Sequence, residues 1–247
     1  MTKLSVNVNK VATLRNARGG RTPSLIDAVR VCIEAGAPGI TVHPREDERH
    51  IRSSDVDELA AYLSAHRASV EFNIEGDPRP ALMDKVVAVR PHQCTLVPVR
   101  PGEITSEAGW PASTDVASLR GITDRLRDAG IRVSVFVDPT RAAIDWAAEV
   151  GADRVELYTE PYAVAFGGPT QAERIEVYAV AARHAKDMGL GVNAGHDLDL
   201  ENLSAFLTGV PGVDEVSIGH ALMSRALFEG LGPTVSAYLE LIRRVPG

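Results

Sequence analysis

The chain has 247 residues, of which 45% are hydrophobic and 24% charged, a composition typical of a globular protein rather than a disordered one. Its formal net charge of −7 argues against a general nucleic-acid binder and against a protein of anionic membrane surfaces, because both need a basic surface. No signal-peptide-like segment opens the chain and no apolar run reaches about 18 residues, so we expect a cytoplasmic protein without a membrane partner. Cys32 and Cys94 lie in apolar segments without metal-ligand spacing, so we expect buried free thiols.

One local pattern recurs along the chain: a helix-like stretch ends in glycine, and a short apolar strand follows within a few residues. Glycine fits the left-handed position that closes a helix. Short, β-branched strands are typical of parallel strands that are buried on both faces. The pattern therefore predicts repeated βα units, and it occurs at Gly36, Gly130, Gly151 and Gly189.

Eight strands separated by helical stretches are predicted. Eight βα units in roughly 250 residues favour an α/β fold, a closed (β/α)₈ barrel with extra helices. An open, doubly wound sheet is the competing topology. No linker rich in Pro, Gly or Ser divides the chain, so we expect a single domain over residues 1–247. The predicted strands are 4–9, 39–42, 69–73, 93–97, 132–137, 154–158, 191–193 and 215–218.

Helix starts can also be predicted from the sequence. Thr22 and Pro23 fit the N-cap and first position of one helix. Thr170 and Glu173 have the spacing of a capping box for the helix that ends near residue 188. The irregular stretch 98–111 has the length of a lid or binding loop.

Polar and ionisable residues cluster at the predicted strand ends, which share one face if the barrel closes. A carboxylate on a strand buried on both faces needs partners, because unpaired burial is costly. Eight strands that end in polar groups are hard to explain by packing alone, so we expect a functional pocket. The candidate residues are Asn7, Asn9, Lys10, Arg18, His43, Arg45, His50, Glu71, Thr105, Glu156, His196, Asp197, Gly219 and His220.

The pocket is cationic within an acidic protein, which favours small phosphorylated substrates. Gly195 and Gly219 follow the seventh and eighth strands, where barrels often bind phosphate at a helix N-terminus. His43, His196 and Glu71 are plausible proton carriers near neutral pH. No zinc-binding spacing and no G-x-G-x-x-G motif is present, so we expect no metal and no dinucleotide cofactor.

Four segments resemble the pyridoxine 5′-phosphate synthase family: ATLRNARGG at 12–20, GITVHPREDERHI at 39–51, VNAGHDL at 192–198 and SIGHAL at 217–222. The resemblance implies a (β/α)₈ barrel that assembles as an octamer. It implies condensation of 1-deoxy-D-xylulose 5-phosphate with 3-amino-2-oxopropyl phosphate, which gives pyridoxine 5′-phosphate, phosphate and water without a cofactor.

The same resemblance implies a role for each matched residue. His43 and Glu71 would accept protons, His196 would donate one, and Glu156 would stabilise charge in the transition states. The other matched residues would bind the two substrates. They are Asn7, Arg18, Asp197, Gly219 and His220 for the aminoketone phosphate, and Asn9, Lys10, Arg45, His50 and Thr105 for the sugar phosphate.

Two positions depart from the family pattern. The family commonly has N-x-D-H after the first strand, whereas this chain has Asn9 and Lys10 in the last two positions. Lys10 can supply charge but not the proton chemistry of an imidazole. The residue after His196 is often glycine and here is Asp197, whose carboxylate must point away from a phosphate.

Two other functions are compatible with the same fold. A barrel aldolase or isomerase would need a Schiff-base lysine at a strand end, and Lys10 is the one candidate in the sequence. A non-catalytic sensor of phosphorylated metabolites would leave the three potential proton carriers around the cavity unexplained.

Overall fold

Eight parallel strands close into a barrel in chain order, with β8 hydrogen-bonded to β1. This computed structural model describes residues 1–99 and 107–245. The closed barrel confirms the predicted fold class and excludes the open, doubly wound sheet. The strands are β1 (Lys3–Asn7), β2 (Gly39–Val42), β3 (Glu71–Gly76), β4 (Gln93–Leu96), β5 (Arg132–Val137), β6 (Arg154–Tyr158), β7 (Gly191–Gly195) and β8 (Glu215–Ile218).

Helices surround the barrel and include the extra ones that were predicted. Within residues 1–99 and 107–245, no helix combines the length and apolar character that a membrane span needs. The helices are α1 (Asn9–Asn16), α2 (Leu25–Glu34), α3 (Ser53–Leu63), α4 (Pro80–Val89), α5 (Val116–Asp128), α6 (Arg141–Glu149), α7 (Glu160–Ala165), α8 (Gln171–Asp187), α9 (Leu203–Gly209), α10 (His220–Glu229) and α11 (Leu231–Arg244).

The glycines that were predicted to close helices all have a positive φ. The values are 96° at Gly36, 75° at Gly130, 79° at Gly151 and 78° at Gly189. A residue with a Cβ is strained in this left-handed conformation, which explains why glycine ends these helices. The sequence pattern therefore located four helix-to-strand junctions correctly.

The third strand begins and ends later than predicted. Ser69 and Val70 donate their N–H groups to the carbonyl of His66, so both still belong to the turn that ends the preceding helical segment. Glu71 is the first residue to join the sheet, with its N–H bonded to Pro38 at 2.8 Å. The strand therefore runs to Gly76 rather than ending at residue 73. This shift changes which residues of the strand reach its carboxyl end.

Two helix starts also differ from prediction. The helix α2 begins at Leu25, and its N-cap is Ser24, whose side chain accepts the N–H of Asp27. The prediction of Thr22 and Pro23 as N-cap and first residue is therefore wrong. Thr170 does occupy the N-cap of α8, but its side chain makes no capping hydrogen bond.

The barrel wall has an apolar outer side and a polar inner side. Along each strand, alternate side chains point towards the helices, and fully buried examples are Val6, Ile40, Val135 and Val155. Barrel interiors are usually filled by branched apolar residues. Here the inward positions instead carry Lys3, Ser5, Asn7, Thr41, Glu71, Asn73, Glu75, Gln93, Thr95, Arg132, Ser134, Arg154, Glu156, Asn193, Glu215 and Ser217.

Hydrogen bonds across the barrel satisfy many of these buried polar groups. The hydroxyls of Ser5 and Thr41 lie 2.7 Å apart, and Asn73 donates to Thr41 at 3.3 Å. Thr95 donates to Asn73 at 3.2 Å, and Gln93 accepts from Arg132 at 2.9 Å. Because buried polar groups are costly when unpaired, this network is what makes a polar interior compatible with a stable barrel.

The two helix N-caps allow a matched test of local stability. We expect Ser24→Ala to lower the free energy of unfolding by about 1 kcal/mol, because it removes the acceptor for an otherwise unpaired helix N–H. Thr170→Ala should have a smaller effect, because the Thr170 side chain makes no capping bond. Urea denaturation of both variants measures the difference, and equal losses would contradict the assignment.

Candidate active site

His43 lies at the carboxyl end of β2 and is almost completely buried, with 8% of its surface exposed. Its Nδ1 is 3.9 Å from Oε2 of Glu75, and its buried Nε2 has no hydrogen-bond partner among the described residues. Burial, followed by the nearby His50 and Arg45, lowers the pKa of His43 to about 3. The imidazole is therefore neutral and has a nitrogen lone pair available to accept a proton.

Glu75 is the carboxyl group beside this imidazole. It accepts hydrogen bonds from Asn7 and from Ser217, each at 3.4 Å, so it connects β3 with β1 and with β8. Burial, together with the charge of Glu215, raises the pKa of Glu75 to about 8. A carboxyl group in this state can exchange a proton near neutral pH.

Glu71, predicted as a proton acceptor, lies at the opposite end of the barrel. It opens β3, and its carboxylate pairs with Lys3 and Arg132, each at 2.5 Å. Burial alone would raise its pKa, but the hydrogen bonds from these two cations outweigh burial and lower it to about 2. The structure therefore places Glu71 in an ion-pair cluster at the amino end of the barrel, away from His43.

The sequence contained a signal for Glu75 that depended on the strand boundary. Glu71, Asn73 and Glu75 all point into the barrel because alternate residues share one face. With β3 predicted to end at residue 73, Glu71 was placed too close to the carboxyl end. With the observed end at Gly76, Glu75 takes that position.

A positively charged region adjoins His43. Burial, Arg45 and Lys10, in that order, lower the pKa of His50 to about 4. Arg45 is itself 8% exposed. Burial is the largest cause of the low value, and Arg45 and Lys10 add a positive local potential, since like charges disfavour protonation of the imidazole. Lys10, Arg45 and His50 are thus brought together as predicted from the sequence.

Arg15 and Asn16 hold the loop that follows β2, a role not assigned from the sequence. The Arg15 guanidinium forms a buried bidentate pair with Asp55 at 2.6 and 2.8 Å. It also donates to the carbonyl of His50 at 3.3 Å, and Asn16 donates to the same carbonyl at 2.8 Å. Bidentate pairing fixes geometry, so α1 and α3 together position the loop.

The two asparagines after β1 connect it to neighbouring strands. The side-chain oxygen of Asn9 accepts the backbone N–H of His43 at 2.8 Å. The side-chain oxygen of Asn7 accepts the backbone N–H of Asn9 at 3.0 Å, while its amide nitrogen faces Glu75. Both side chains therefore fix the position of the His43–Glu75 pair.

His196 and Asp197 follow β7 in an unusual backbone conformation, with φ values of 92° and 56°. The hydroxyl of Thr159 donates to the carbonyls of Gly195 and His196 at 2.7 and 2.5 Å and holds this turn to the end of β6. The imidazole lies edge-on to Tyr158, with ring centroids 5.3 Å apart. Its Nδ1 is 3.1 Å from the carboxylate of Asp197.

Gly219 and His220 begin α10 at the same rim. A Cβ on Gly219 would lie 3.0 Å from the Cβ of Asn7, so glycine allows the two strand ends to approach closely. The free N–H groups at a helix N-terminus attract anions. A hydrogen bond from His196, and more weakly the charge of His220, lowers the pKa of Asp197. Asp197, His196 and His220 are therefore neighbours.

Two predicted site residues are not placed with the others. Arg18 follows α1 and is exposed, with its backbone N–H bonded to Arg15. Thr105 lies outside the described residues. Within the described ranges, no group of three or more His, Cys, Asp or Glu side chains is arranged to bind a metal ion.

A cavity of about 240 Å³ lies at the other end of the barrel. It is bordered mostly by apolar residues of the N-terminus and α11, together with Lys3 and Arg243. None of the predicted site residues borders it. His43, Glu75, His196 and the positively charged region lie at the carboxyl end, where enzymes of this fold usually have their active sites.

Comparison with known proteins identifies the family. The model of the family "Pyridoxal phosphate biosynthesis protein PdxJ" matches residues 4–244. A pyridoxine 5′-phosphate synthase of Bacteroides fragilis strain YCH46 is 52% identical over 243 residues, which cover 98% of this chain and all of that protein. A protein of the same name from Xanthomonas oryzae pv. oryzae strain PXO99A is 50% identical over 249 residues, covering 98% of this chain and 97% of that protein.

Solved structures of other proteins share the fold. The structure of KGPDC from Streptococcus mutans superposes with a TM-score of 0.66 at 12% identity and covers all of both chains. At this identity the likeness concerns the fold alone. Together with the family model and the relatives that are about half identical, the barrel and its carboxyl-end cluster lead to one assignment: the chain belongs to the PdxJ family of pyridoxal phosphate biosynthesis proteins.

Proposed function

We propose that the protein is a pyridoxine 5′-phosphate synthase, which condenses 1-deoxy-D-xylulose 5-phosphate with 3-amino-2-oxopropyl phosphate. The products are pyridoxine 5′-phosphate, inorganic phosphate and water. The observation that carries this proposal is the 52% identity over the full length of a relative with that name. The cluster of proton carriers beside a positively charged region supports it.

The sugar phosphate binds beside Lys10, Arg45 and His50. These groups share one positively charged region, because Lys10 and Arg45 both lower the pKa of His50. A phosphate placed there would relieve the repulsion among them. Asn9 fixes the neighbouring backbone through its bond to the N–H of His43. Thr105, outside the described residues, stays a predicted contact to the same substrate.

The aminoketone phosphate binds at the start of α10. The N-terminal N–H groups that follow Gly219, together with the side chain of His220, suit a phosphate at this position. Asn7 lies against Gly219, which places an amide next to the same site. Asp197 contributes its backbone, and Arg18 stays a predicted contact from the exposed end of α1. Two separate anion sites would hold the two reactants side by side and make their reaction intramolecular.

His43 accepts protons in this mechanism. Glu75 takes the acid–base role first expected for Glu71, because its raised pKa lets it release a proton and take it back near neutral pH. Burial, assisted by the neighbouring cations, keeps the imidazole of His43 neutral before substrate binds. Binding of a phosphate dianion offsets those cations, which favours the imidazolium and raises the pKa of His43. Substrate binding would thus turn a weak base into an effective one at the moment when it is needed.

His196 donates a proton from the other side of the rim, and Glu156 stabilises the charge that develops in the transition states. The carboxylate of Asp197 lies 3.1 Å from Nδ1 of His196 and orients the imidazole. Formation of an imine and its dehydration require proton transfers at several atoms. Several acid–base groups around one cavity fit that chemistry better than a single nucleophile does.

The assembly and location of the protein are part of the proposal. Leu227 and Phe228 at the end of α10 are 73% and 90% exposed, and large exposed apolar side chains are typical of contact surfaces. We expect a cytoplasmic homo-oligomer, the octamer of the family resemblance, without an organic cofactor. Sedimentation velocity tests the assembly, and a monomer at micromolar concentration would contradict it.

The purified protein should form pyridoxine phosphate only when both substrates are supplied together. Mass spectrometry of the product, with each substrate alone as control, measures this activity. If no product forms from the two substrates, the proposed function is wrong. Borohydride trapping of a covalent adduct on Lys10 would favour the aldolase alternative, and binding without turnover would favour the sensor.

Replacing each of the two glutamates on β3 by glutamine should separate an effect on catalysis from an effect on stability. We expect Glu75→Gln to lower kcat by about 10²–10⁴-fold, the usual contribution of an acid–base group. Glu71→Gln should keep most of the activity but lower the free energy of unfolding by about 1–3 kcal/mol, because it weakens the bonds to Lys3 and Arg132. Steady-state kinetics and urea denaturation of both variants measure the contrast. The reverse pattern would restore the original assignment of Glu71.

If the two anion sites are separate, a substitution in one site should raise KM chiefly for the substrate that binds there. Lys10→Met should raise KM for the sugar phosphate about tenfold or more, because a hydrogen bond to a charged group contributes about 1.5–3 kcal/mol. His220→Ala should raise KM chiefly for the aminoketone phosphate. Kinetics with each substrate varied in turn measures both values. A parallel change for both substrates in both variants would contradict separate sites.

A further inference from the structure

Glu156 occupies the middle inward position of β6, with 5% of its surface exposed. Its Oε2 is buried and has no hydrogen-bond partner among the described residues. Among the described residues, the charged groups that act on its carboxyl group are two other buried acids, Glu75 and Glu215. An ionised carboxylate in such a position would lack both a counter-ion and a full set of donors.

The carboxyl group of Glu156 takes the space that a side chain at residue 195 would need. A Cβ built on Gly195 would lie 2.5 Å from Oε1 of Glu156 and 3.2 Å from the carbonyl oxygen of Ser217. Gly195 ends β7 and is paired with Tyr158, one inward position nearer the carboxyl rim than Glu156. The missing side chain therefore lets the carboxyl group of Glu156 reach towards the rim that holds His43 and Glu75.

The hydroxyl of Thr95 is the hydrogen-bonding side chain next to Glu156. Its hydroxyl has one proton, which it donates to Oδ1 of Asn73 at 3.2 Å. The hydroxyl oxygen of Thr95 also accepts a hydrogen bond from the amide nitrogen of Gln93 at 3.5 Å. The amide oxygen of Gln93 in turn accepts from the guanidinium of Arg132, which can only donate, at 2.9 Å, and this fixes the orientation of the amide. The bond from Thr95 by itself lowers the pKa of Glu156, but burial and the charges of Glu75 and Glu215 outweigh it.

We propose that Glu156 is held as a neutral carboxylic acid which donates a hydrogen bond to a substrate oxygen, and that Gly195 is the residue that positions it. This inference rests on the proposed function and specifies how Glu156 stabilises developing negative charge. It also changes the expected role of Gly195. The sequence suggested that Gly195 lets the backbone approach a phosphate, whereas here its missing side chain leaves room for the carboxyl group of Glu156. A neutral donor stabilises an oxyanion without placing a second negative charge beside it.

The charged groups around Glu156 agree with the neutral form. Glu75 on β3 and Glu215 on β8 are both buried acids. Burial, then Glu75 and Glu215, raises the pKa of Glu156 well above its usual range. The nearest described cations on the inner wall, Arg154, Arg132 and Lys3, instead act on Glu215 at the amino end and partly offset its burial.

Isotope-edited infrared spectroscopy of the substrate-free protein tests the protonation state independently of any activity. In protein labelled with ¹³C at the glutamate carboxyls, Glu156→Gln should remove a C=O band of a protonated acid at neutral pH. Glu71→Gln, the matched control, should remove only carboxylate bands, since Glu71 pairs with two cations. Loss of carboxylate bands alone from Glu156→Gln would overturn the proposal, even if the enzyme is active.

A double-mutant cycle tests the positioning role of Gly195. Gly195→Ala should lower kcat at least tenfold and destabilise the protein, because the new Cβ displaces the carboxyl group of Glu156. Shortening the acid in Gly195→Ala/Glu156→Asp should restore much of the lost stability but not kcat. Gly121→Ala on α5, where a Cβ meets no atom within 4 Å, is the control.

The cycle has a clear negative outcome. If the losses of stability in Gly195→Ala and Glu156→Asp simply add, the two sites are not coupled and the positioning role is wrong. If Gly195→Ala fails to fold, the infrared band of Glu156 in the wild-type protein still decides the protonation state. If the protein makes no pyridoxine phosphate but shows the acid band and the coupling, the proposed function is wrong, whereas the neutral state of Glu156 and the positioning role of Gly195 are supported.

Discussion

The alternation of side chains along eight closed parallel strands determines where every inward group lies. Residues two apart share the inner face, and each step of two moves a group about 6–7 Å along the strand. Glu71, Asn73 and Glu75 are successive inward residues of one strand. Because barrel strands tilt by about 36°, the first and last differ in depth by about 11 Å along the barrel axis. The ion pairs of Glu71 accordingly lie at the amino end, amides and hydroxyls together with Glu156 in the middle, and His43 and Glu75 at the carboxyl rim.

This layering explains how acids and bases coexist in one barrel without neutralising one another. The cations of the amino end pair with Glu71, whereas burial and neighbouring acids favour the protonated forms of Glu75 and Glu156. Burial, assisted by the neighbouring His50 and Arg45, keeps His43 neutral. The resting site therefore holds acids and a base that are both uncharged. Two phosphates would complete its charge balance.

The fold could be predicted from the sequence because its signals are local. A glycine after each of four helices and short β-branched runs defined the βα units. The site was predicted less completely, because it depends on strand ends and on long-range pairs. The boundary of β3 is set by a turn bonded to His66, and with the strand predicted to end at residue 73 there was no reason in the sequence to prefer Glu75 over Glu71. The hydrogen bond from Arg15 to the carbonyl of His50 joins residues 35 positions apart, so no local sequence pattern indicates it.

The most direct test of the central claim is a crystal structure of the protein with 1-deoxy-D-xylulose 5-phosphate. The phosphate should lie at the carboxyl end, within hydrogen-bonding distance of Lys10 and His50, with the sugar carbon chain directed towards His43 and Glu75. A phosphate bound instead at the amino end, beside Lys3 and Arg132, would contradict the assignment of the reaction to the carboxyl rim.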